Sequence, residues 1–241
     1  MSEIAFIYGK HAVKEAFAAC PSAMRMVYTT DDDFRAQVKK TGTAVESLNI
    51  HKLPGDIAKD AVHQGFVASI DLDKLMLPFD VFLQALEVTN DTALVLLGEI
   101  QDPHNVGAII RSAAAFGISG VLIPEHRQAQ VTGAVIKASA GMAFRIPLIS
   151  IGNVNTTIRD LKESGFWIYG LSGTAPYALG EEGFEKPSVF ILGNEGGGIR
   201  EKTLEHCDIS LKIPMVANVE SLNASVAAAI VCYAWSLRHP V

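Results

Sequence analysis

Three polar segments in the second half of the 241-residue chain carry residue types that can do chemistry, and each follows an apolar run. They run from Asn105 to Arg111, from Leu192 to Ile199 and from Ile213 to Asn223. The guanidinium of Arg111 suits phosphate, because its planar fork of donors matches phosphate oxygens. The consecutive glycines 196–198 cost backbone entropy, which favours unusual dihedral angles or a closely approaching ligand. If the apolar runs are parallel strands, their carboxyl ends share one edge and the three segments form one site.

Each segment also has a purely structural interpretation. Asn105 follows the turn Asp102-Pro103 and can cap a helix with its side-chain oxygen. The glycines can form a tight turn before a helix that begins at Ile199. Ser221 and Asn223 can cap the last helix. Taken one at a time, the segments leave both interpretations open.

The segment 192–199, called the glycine loop below, matches neither standard phosphate loop. It lacks the Lys-Ser/Thr ending of a P-loop and the G-x-G-x-x-G spacing of a dinucleotide fold. Glu195 would repel a polyphosphate, so a neutral or cationic ligand group is favoured. His104, beside Asn105, can touch a substrate, whereas the other histidines lack ligand spacing. The order and elbow of a Ser-His-Asp hydrolase are missing from the sequence.

Composition predicts a globular protein with a packed core, since 49% of residues are hydrophobic and 19% are charged. The net charge of −6 does not indicate nucleic acid directly, but a local basic face suffices for RNA binding. The three cysteines lie far apart without metal-ligand spacing, which favours a reduced, cytoplasmic protein and no metal site. The sequence shows no signal peptide and no apolar run near the ~20 residues of a membrane span.

From Thr92 onward, apolar runs alternate with helical stretches, and this alternation predicts a parallel sheet covered on both faces by helices. The predicted strands are Ala93–Leu97, Gly120–Ile123, Phe166–Gly170, Val189–Leu192 and Ile209–Ile213. The predicted helices are Val106–Phe116, Thr132–Ala140, Val154–Ser164, Ile199–His206 and Ser221–Arg238.

Before Thr92 the pattern predicts a smaller α/β unit. Its expected strands and helices are Arg25–Thr29, Gly65–Ile70, His11–Ala19 and Asp32–Thr41, with a further short helix after Pro54-Gly55-Asp56. Residues 72–91 are irregular apart from a possible helix over Val81–Glu87. We therefore expect an N-terminal domain over residues 1–72, a linker over 73–91 and a larger domain over 92–241.

Taken together, the three segments resemble the motifs of the SpoU (TrmH-type) RNA ribose 2′-O-methyltransferases. The first resembles Asn-x-Gly-x-x-x-Arg at Asn105, Gly107 and Arg111. The second resembles Gly-x-Glu-Gly-x-Gly at residues 193–198, and the third resembles Ile-Pro-Met … Ser-Leu-Asn at 213–215 and 221–223. The stretches 7–16 and 63–68 resemble the family's L30-like substrate-binding domain. The likeness is nearest to the branch that methylates a guanosine in large-subunit ribosomal RNA.

The resemblance implies an α/β fold with a C-terminal parallel-sheet trefoil-knot methyltransferase domain and a small N-terminal L30-like α/β domain. It implies that S-adenosyl-L-methionine is the cofactor, that the substrate is RNA, and that the enzyme is a homodimer through the knot domain. The family's cofactor contacts fall here on Leu171, Gly173, Gly193, Ile213, Met215 and Leu222. Its catalytic positions fall on Asn105, Arg111, Glu195, Ser221 and Asn223.

The chemistry implied is transfer of a methyl group to a ribose 2′-hydroxyl, a weak nucleophile that must be aligned and deprotonated. Arg111 is a proposed general base in the family, but arginine is effectively always protonated in proteins. The alternative is that Arg111 grips the target phosphate. Arg127, Lys137 and Arg145 can extend a basic surface beside the site. A transfer-RNA methyltransferase and an inactive RNA-binding assembly factor are the competing interpretations.

Overall fold

The structure is a computed structural model that describes residues 4–55, 57–58, 60–194, 196–216, 219 and 221–239. The N-terminal unit is a four-stranded sheet with the order β1-β4-β2-β3, in which only β2 and β3 run parallel. Its elements are β1 (Ile4–Tyr8), α1 (Lys10–Ala19), β2 (Met24–Thr29), α2 (Asp32–Lys40), β3 (Ala44–Ser47) and β4 (Phe66–Asp71).

Burial explains this small sheet, because its central strand β4 is buried at every position while the edge strand β3 is mostly exposed. Asp31 starts α2 by accepting a hydrogen bond from the backbone N–H of Phe34 at 2.9 Å. The sequence analysis missed β1 and β3. It was also wrong about a helix after Pro54, since the described residues between 57 and 62 form none.

The larger unit is an eight-stranded sheet with the order β10-β12-β9-β11-β6-β7-β8-β5, and every pairing in it is parallel. Its strands are β5 (Met76–Pro78), β6 (Ala93–Gly98), β7 (Gly120–Pro124), β8 (Leu148–Ile151), β9 (Trp167–Leu171), β10 (Tyr177–Ala178), β11 (Ser188–Gly193) and β12 (Ile209–Lys212). Its helices are α3 (Phe79–Ala85), α4 (Pro103–Ala115), α5 (Gly133–Ala138), α6 (Val154–Glu163), α7 (Glu201–Leu204) and α8 (Ala224–Ser236).

Side chains of the central strands alternate between two apolar layers, one on each face of the sheet. In β6, Val95 and Leu97 belong to the layer that also holds the buried residues of α4, α5 and α8. Leu94 and Leu96 belong to the opposite layer, which α6 covers. Burial on both faces explains why these strands read as continuous apolar runs, and the predicted α/β fold with a parallel sheet is confirmed.

The C-terminal segment crosses back over the sheet edge. The strand β12 lies beyond β9, whereas the helix that follows it, α8, packs on α4 and β11. Of the residues between them, Ile213, Met215, Ser221 and Leu222 lie around the same cleft as Leu171 of β9 and Gly193 of β11, at the carboxyl ends of those strands. This crossing is the one expected of the predicted trefoil knot, and it brings the third polar segment next to the glycine loop.

Residues 73–91, predicted as a linker, contribute β5 to the edge of the larger sheet beside β8, and α3 follows. The exact domain boundary stays a prediction. No helix among the described residues is long and apolar enough to cross a membrane, since the longest, α4 and α8, have 13 residues each.

Charged and aromatic side chains fasten the N-terminal unit to α5 and to the turn after it. Arg145 pairs with Glu15 at 2.6 Å, and this hydrogen-bonded guanidinium lowers the pKa of the Glu15 carboxyl. The Nζ of Lys137 lies 3.1 Å from the hydroxyl of Tyr8 and 4.4 Å from its ring centroid. Arg145 and Lys137, which the sequence analysis considered for an RNA surface, are thus engaged between the two units.

Candidate active site

A cleft of about 540 Å³ lies at the carboxyl ends of β9, β11 and β12, where parallel sheets place their ligands. We call it the cofactor cleft. Its volume falls within the range of small-molecule sites, about 300–1,000 Å³. It is lined by all six residues predicted to contact the cofactor, Leu171, Gly173, Gly193, Ile213, Met215 and Leu222. Ser221 lines it as well. The structure thus brings two of the three polar segments to one cleft.

The glycine loop closes on itself through two hydrogen bonds between Asn194 and Gly198. The backbone N–H of Asn194 donates to the carbonyl of Gly198, and the N–H of Gly198 donates to the carbonyl of Asn194. A Cβ on Gly193 would lie 2.1 Å from the carbonyl carbon of Gly198 and 2.3 Å from the nitrogen of Ile199. Gly198 has φ +65°, which side chains rarely adopt. Gly193 and Gly198 are therefore required by the turn itself.

The middle glycines have a different environment. The Oδ1 of Asn194 accepts hydrogen bonds from the backbone N–H groups of Gly196 at 3.0 Å and Gly197 at 2.6 Å, as in an Asx turn. A Cβ on Gly197 would meet only that Oδ1, at 3.6 Å, and both glycines line the cofactor cleft. Their lack of side chains leaves backbone open to the cleft. Glu195, the predicted catalytic carboxylate directly before Gly196, lies outside the described residues.

Asn105 does not cap a helix, contrary to one sequence interpretation. Asp102 is the N-cap of α4, since its Oδ1 accepts from the backbone N–H of His104 at 2.8 Å and Pro103 occupies the first helical position. Asn105 lies inside the first turn and is buried. Its Oδ1 accepts a hydrogen bond of 3.0 Å from the Nδ2 of Asn223. The first and third polar segments therefore meet through a pair 118 residues apart.

Asn223 is the N-cap of α8, as its structural interpretation predicted. Its Oδ1 accepts from the backbone N–H of Ser225 at 2.8 Å and from the Ser225 hydroxyl at 2.6 Å. The amide thus uses its oxygen for the helix and its nitrogen for Asn105. Ser221 and Leu222, directly before it, line the cofactor cleft. Asn223 fixes this wall of the cleft to α4.

Arg111 lies farther along α4, with an exposed side chain. It is not among the described residues that line the cofactor cleft. Asn105 and Arg111 therefore face different surroundings on one helix, as their six-residue spacing predicts. The sequence analysis did not single out Ser172 and Asn194, which also line the cleft. Their position at the ends of β9 and β11 was the available signal.

Metal sites and reactive thiols would each require particular titratable side chains near the cleft. The described residues contain no group of three or more His, Cys, Asp and Glu side chains that could hold a metal ion. Burial raises the pKa of the Cys207 thiol, which lies beside Gly170 of β9, to about 11. The cofactor cleft instead offers aliphatic walls at Leu171, Ile213 and Leu222 beside exposed glycine backbone. This combination fits an adenine ring and a cationic sulfonium.

Fold and site define an α/β protein whose ligand cleft lies at the carboxyl ends of a parallel sheet. Residues 92–233 match the SpoU rRNA Methylase family, and residues 6–75 match the family of RNA 2′-O ribose methyltransferase substrate-binding domains. The chain belongs to the SpoU methylase family.

Individual relatives agree with this assignment. In an alignment of 250 positions, the chain is 36% identical to the 23S rRNA (guanosine-2′-O-)-methyltransferase RlmB of Pectobacterium atrosepticum, and the alignment covers 95% of this chain and 96% of that one. It is also 36% identical to an uncharacterised tRNA/rRNA methyltransferase of Synechocystis, of which it spans 61%. Among solved structures, the SpoU methyltransferase AviRb of Streptomyces viridochromogenes in complex with AdoMet has a TM-score of 0.82 at 23% identity, covering 97% and 89% of the two chains.

Proposed function

We propose that the protein transfers a methyl group from S-adenosylmethionine to a ribose 2′-hydroxyl in RNA, and that its target is a guanosine of large-subunit ribosomal RNA. The observation that carries this proposal is the hydrogen bond from Asn223 to Asn105, which joins the third polar segment to the first at the border of the cofactor cleft. The family and the RlmB relative support the reaction and the RNA class.

The cofactor residues are assigned from the lining of the cleft. Leu171, Ile213 and Leu222 form the apolar walls, and the backbone of Gly193 and Met215 borders the same space. The AviRb relative, whose fold this chain shares, is in complex with AdoMet, which supports the identity of the cofactor. When bound, S-adenosylmethionine supplies an electrophilic methyl group on a sulfonium, which is already a good leaving group.

The chain's own residues must therefore align the hydroxyl rather than activate the leaving group. Positioning of this kind can supply several kcal/mol of the barrier. We assign Asn105 and Asn223 to hold the ribose side of the cleft, with Ser221 completing its wall. Arg111 is exposed, and arginine is not deprotonated in proteins. We therefore assign it to grip the target phosphate, not to accept the proton. Glu195 stays a catalytic proposal on the resemblance alone.

We further propose that the enzyme is a homodimer through the knot domain. Three exposed apolar side chains along α8 and at its C-cap support this, because Val226, Tyr233 and Leu237 follow the spacing of one helix face. Light scattering compares the molar mass of Tyr233→Glu with that of the unchanged protein. A variant that dimerises with unaltered mass and affinity would contradict this surface as the dimer interface.

All three cysteines are free, which supports a reducing, cytoplasmic location.

The decisive experiment measures methyl transfer from radiolabelled S-adenosylmethionine to ribosomal RNA taken from cells without the gene. Transfer RNA from the same cells runs in parallel, and the modified nucleotide is mapped by resistance of its 3′ phosphodiester to alkali. We expect one 2′-O-methylguanosine in the large-subunit RNA. Label in transfer RNA alone would contradict the ribosomal target and favour a transfer-RNA methyltransferase. If calorimetry shows no binding of S-adenosylmethionine, the proposed methyl transfer is refuted.

Arg111→Lys tests the assigned phosphate grip, because lysine keeps the charge but loses the planar fork. We expect weaker use of RNA with the affinity for S-adenosylmethionine unchanged. Arg159→Lys is the matched control, since Arg159 is an exposed arginine on α6. Full methyl transfer by Arg111→Lys at every RNA concentration would remove the role of the fork.

A further inference from the structure

A second cleft, of about 250 Å³, lies beside the cofactor cleft at the carboxyl ends of β6, β7 and β8. We call it the arginine cleft. The two clefts share Gly198 and Ile199, so the end of the glycine loop is their common wall. The polar residues that line the arginine cleft are Glu99, His126, Arg127, Asn153, Asn155, Arg200 and Thr203.

The side chains of this cleft present mainly hydrogen-bond donors. The carboxylate of Glu99 is paired with Arg200 at 2.6 Å. The Oδ1 of Asn153 is used to cap α6, and the Oδ1 of Asn155 accepts from the Thr203 hydroxyl at 3.2 Å, which leaves both amide nitrogens as donors. Among the described residues lining the cleft, Glu99 is the one carboxylate, so the remaining groups favour an anionic ligand.

Arg127 differs from Arg145 and Lys137, the two other residues that the sequence analysis considered for a basic surface. Arg145 and Lys137 are engaged with the N-terminal unit, whereas Arg127 is exposed in the cleft and makes no ion pair within the described part of the chain. The neighbouring carboxylate, Glu125, accepts from the Ser150 hydroxyl and is absent from the cleft lining. The guanidinium fork of Arg127 is therefore available for a phosphate.

The backbone supports a functional reading of the same place. Glu99 has φ +63° and Arg127 has φ +57°, a left-handed conformation that residues other than glycine adopt at a cost. Both line this cleft, although they lie in different loops. Strained backbone of this kind is concentrated at ligand sites.

We propose that the arginine cleft binds a phosphodiester of the substrate RNA next to the target nucleotide, with Arg127 and Arg200 as its cationic groups. The inference rests on the proposed function, which places RNA at the adjoining cofactor cleft. Glu99 acts as a positioning residue, because its ion pair holds the Arg200 guanidinium beside the glycine loop. A phosphate at this point would orient the strand that enters the cofactor cleft.

Arg127→Gly tests this site without threatening the fold, because glycine adopts the positive φ of residue 127 without strain. Binding of a fluorescein-labelled stem–loop transcript of large-subunit ribosomal RNA is measured across a series of salt concentrations, without cofactor. We expect about three- to tenfold weaker binding and a slope of log K against log salt smaller by about 0.7–0.9, the effect of one lost phosphate contact. Arg127→Lys should retain most of the slope, since it keeps the charge.

Arg159→Ala is the control, and it should bind the transcript like the unchanged protein. Equal affinity and equal salt slope in Arg127→Gly and in the unchanged protein would overturn the phosphate site, and so would no RNA binding by the unchanged protein. A weaker Arg127→Gly with an unaltered slope would overturn it in favour of a base contact. If Arg127→Gly behaves as expected but no RNA is methylated, the proposed function fails and the arginine cleft stands.

Discussion

Replacing Gly193 by alanine should damage the fold and the cofactor cleft together. The added Cβ would lie 2.1, 2.3 and 2.5 Å from three backbone atoms of Gly198 and Ile199. Real Cβ contacts essentially never fall below 3.0 Å. Because the opposing atoms are backbone, no side-chain rotation can relieve the clash. The glycine loop must move away from the end of β11.

The cost of overpacking a well-packed position is about 1–3 kcal/mol, and three backbone clashes place Gly193→Ala at the upper end. For a chain of this size, about 3 kcal/mol lowers Tm by about 6–12 °C. The affinity for S-adenosylmethionine should fall as well, since Gly193 and Gly198 both line the cofactor cleft. Thermal unfolding and calorimetric titration of the cofactor measure the two effects.

Two other glycines make the comparison specific. An added Cβ at Gly180 meets nothing within 4 Å, so Gly180→Ala should change neither quantity. At Gly197 it meets only the Oδ1 of Asn194 at 3.6 Å, an ordinary contact, but it enters the cofactor cleft. Gly197→Ala should therefore keep its Tm and lose cofactor affinity. Unchanged Tm in Gly193→Ala would refute the steric reasoning, and unchanged affinity in Gly197→Ala would remove the cofactor from this wall.

Three further outcomes are expected. Asn223→Ala should lower the free energy of unfolding by about 1 kcal/mol, because α8 loses its N-cap. Asn223→Asp keeps the cap but loses the donor to Asn105, so it should lower methyl transfer with Tm nearly unchanged. Unaltered methyl transfer by Asn223→Asp would contradict a role for the hydrogen bond between Asn223 and Asn105. Arg145 holds the folded-state pKa of Glu15 below its ordinary value of 4.5. The difference in unfolding free energy between the unchanged protein and Arg145→Met should therefore be complete above pH 4.5 and disappear as the pH falls through the folded-state pKa. Urea unfolding at several pH values measures this difference, and a difference that does not change with pH would contradict the prediction. Buried Cys232, whose thiol pKa burial raises to about 12, should resist iodoacetamide in the native protein at pH 8, as mass spectrometry of its peptide would show, and rapid labelling would contradict this burial.

The sequence predicted the central strands of the larger sheet because burial on both faces demands continuous apolar runs. The five strands predicted there correspond to β6, β7, β9, β11 and β12, with ends displaced by a residue at most. The missed strands are β1, β3, β5, β8 and β10, and all of them except β1 have four residues or fewer. β3 is polar and lies at a sheet edge, and β10 has two residues. Their pairing depends on neighbours distant in the chain, which no local pattern encodes.

At the site, sequence and structure differ where contacts join distant loops. The six predicted cofactor residues meet in one cleft because the ends of parallel strands share an edge. The Asn105 interpretation was wrong although a signal was present, since Asp102 before a proline is the usual start of a helix. No local pattern in the sequence indicated the ion pair between Glu99 and Arg200, because it joins two loops that lie 101 residues apart in the chain.

The helix α8 connects the fold to the chemistry, because its two ends are held by different parts of the chain. At its start, Asn223 caps the helix and donates to Asn105 on α4. Just past its end, the ring of His239 stacks on Trp235 and hydrogen-bonds to Asp91 at 2.7 Å. The segment that forms one wall of the cofactor cleft leads directly into this helix. The hydrogen bond between Asn223 and Asn105 therefore ties the start of α8, directly after Ser221 and Leu222 of the cleft wall, to α4.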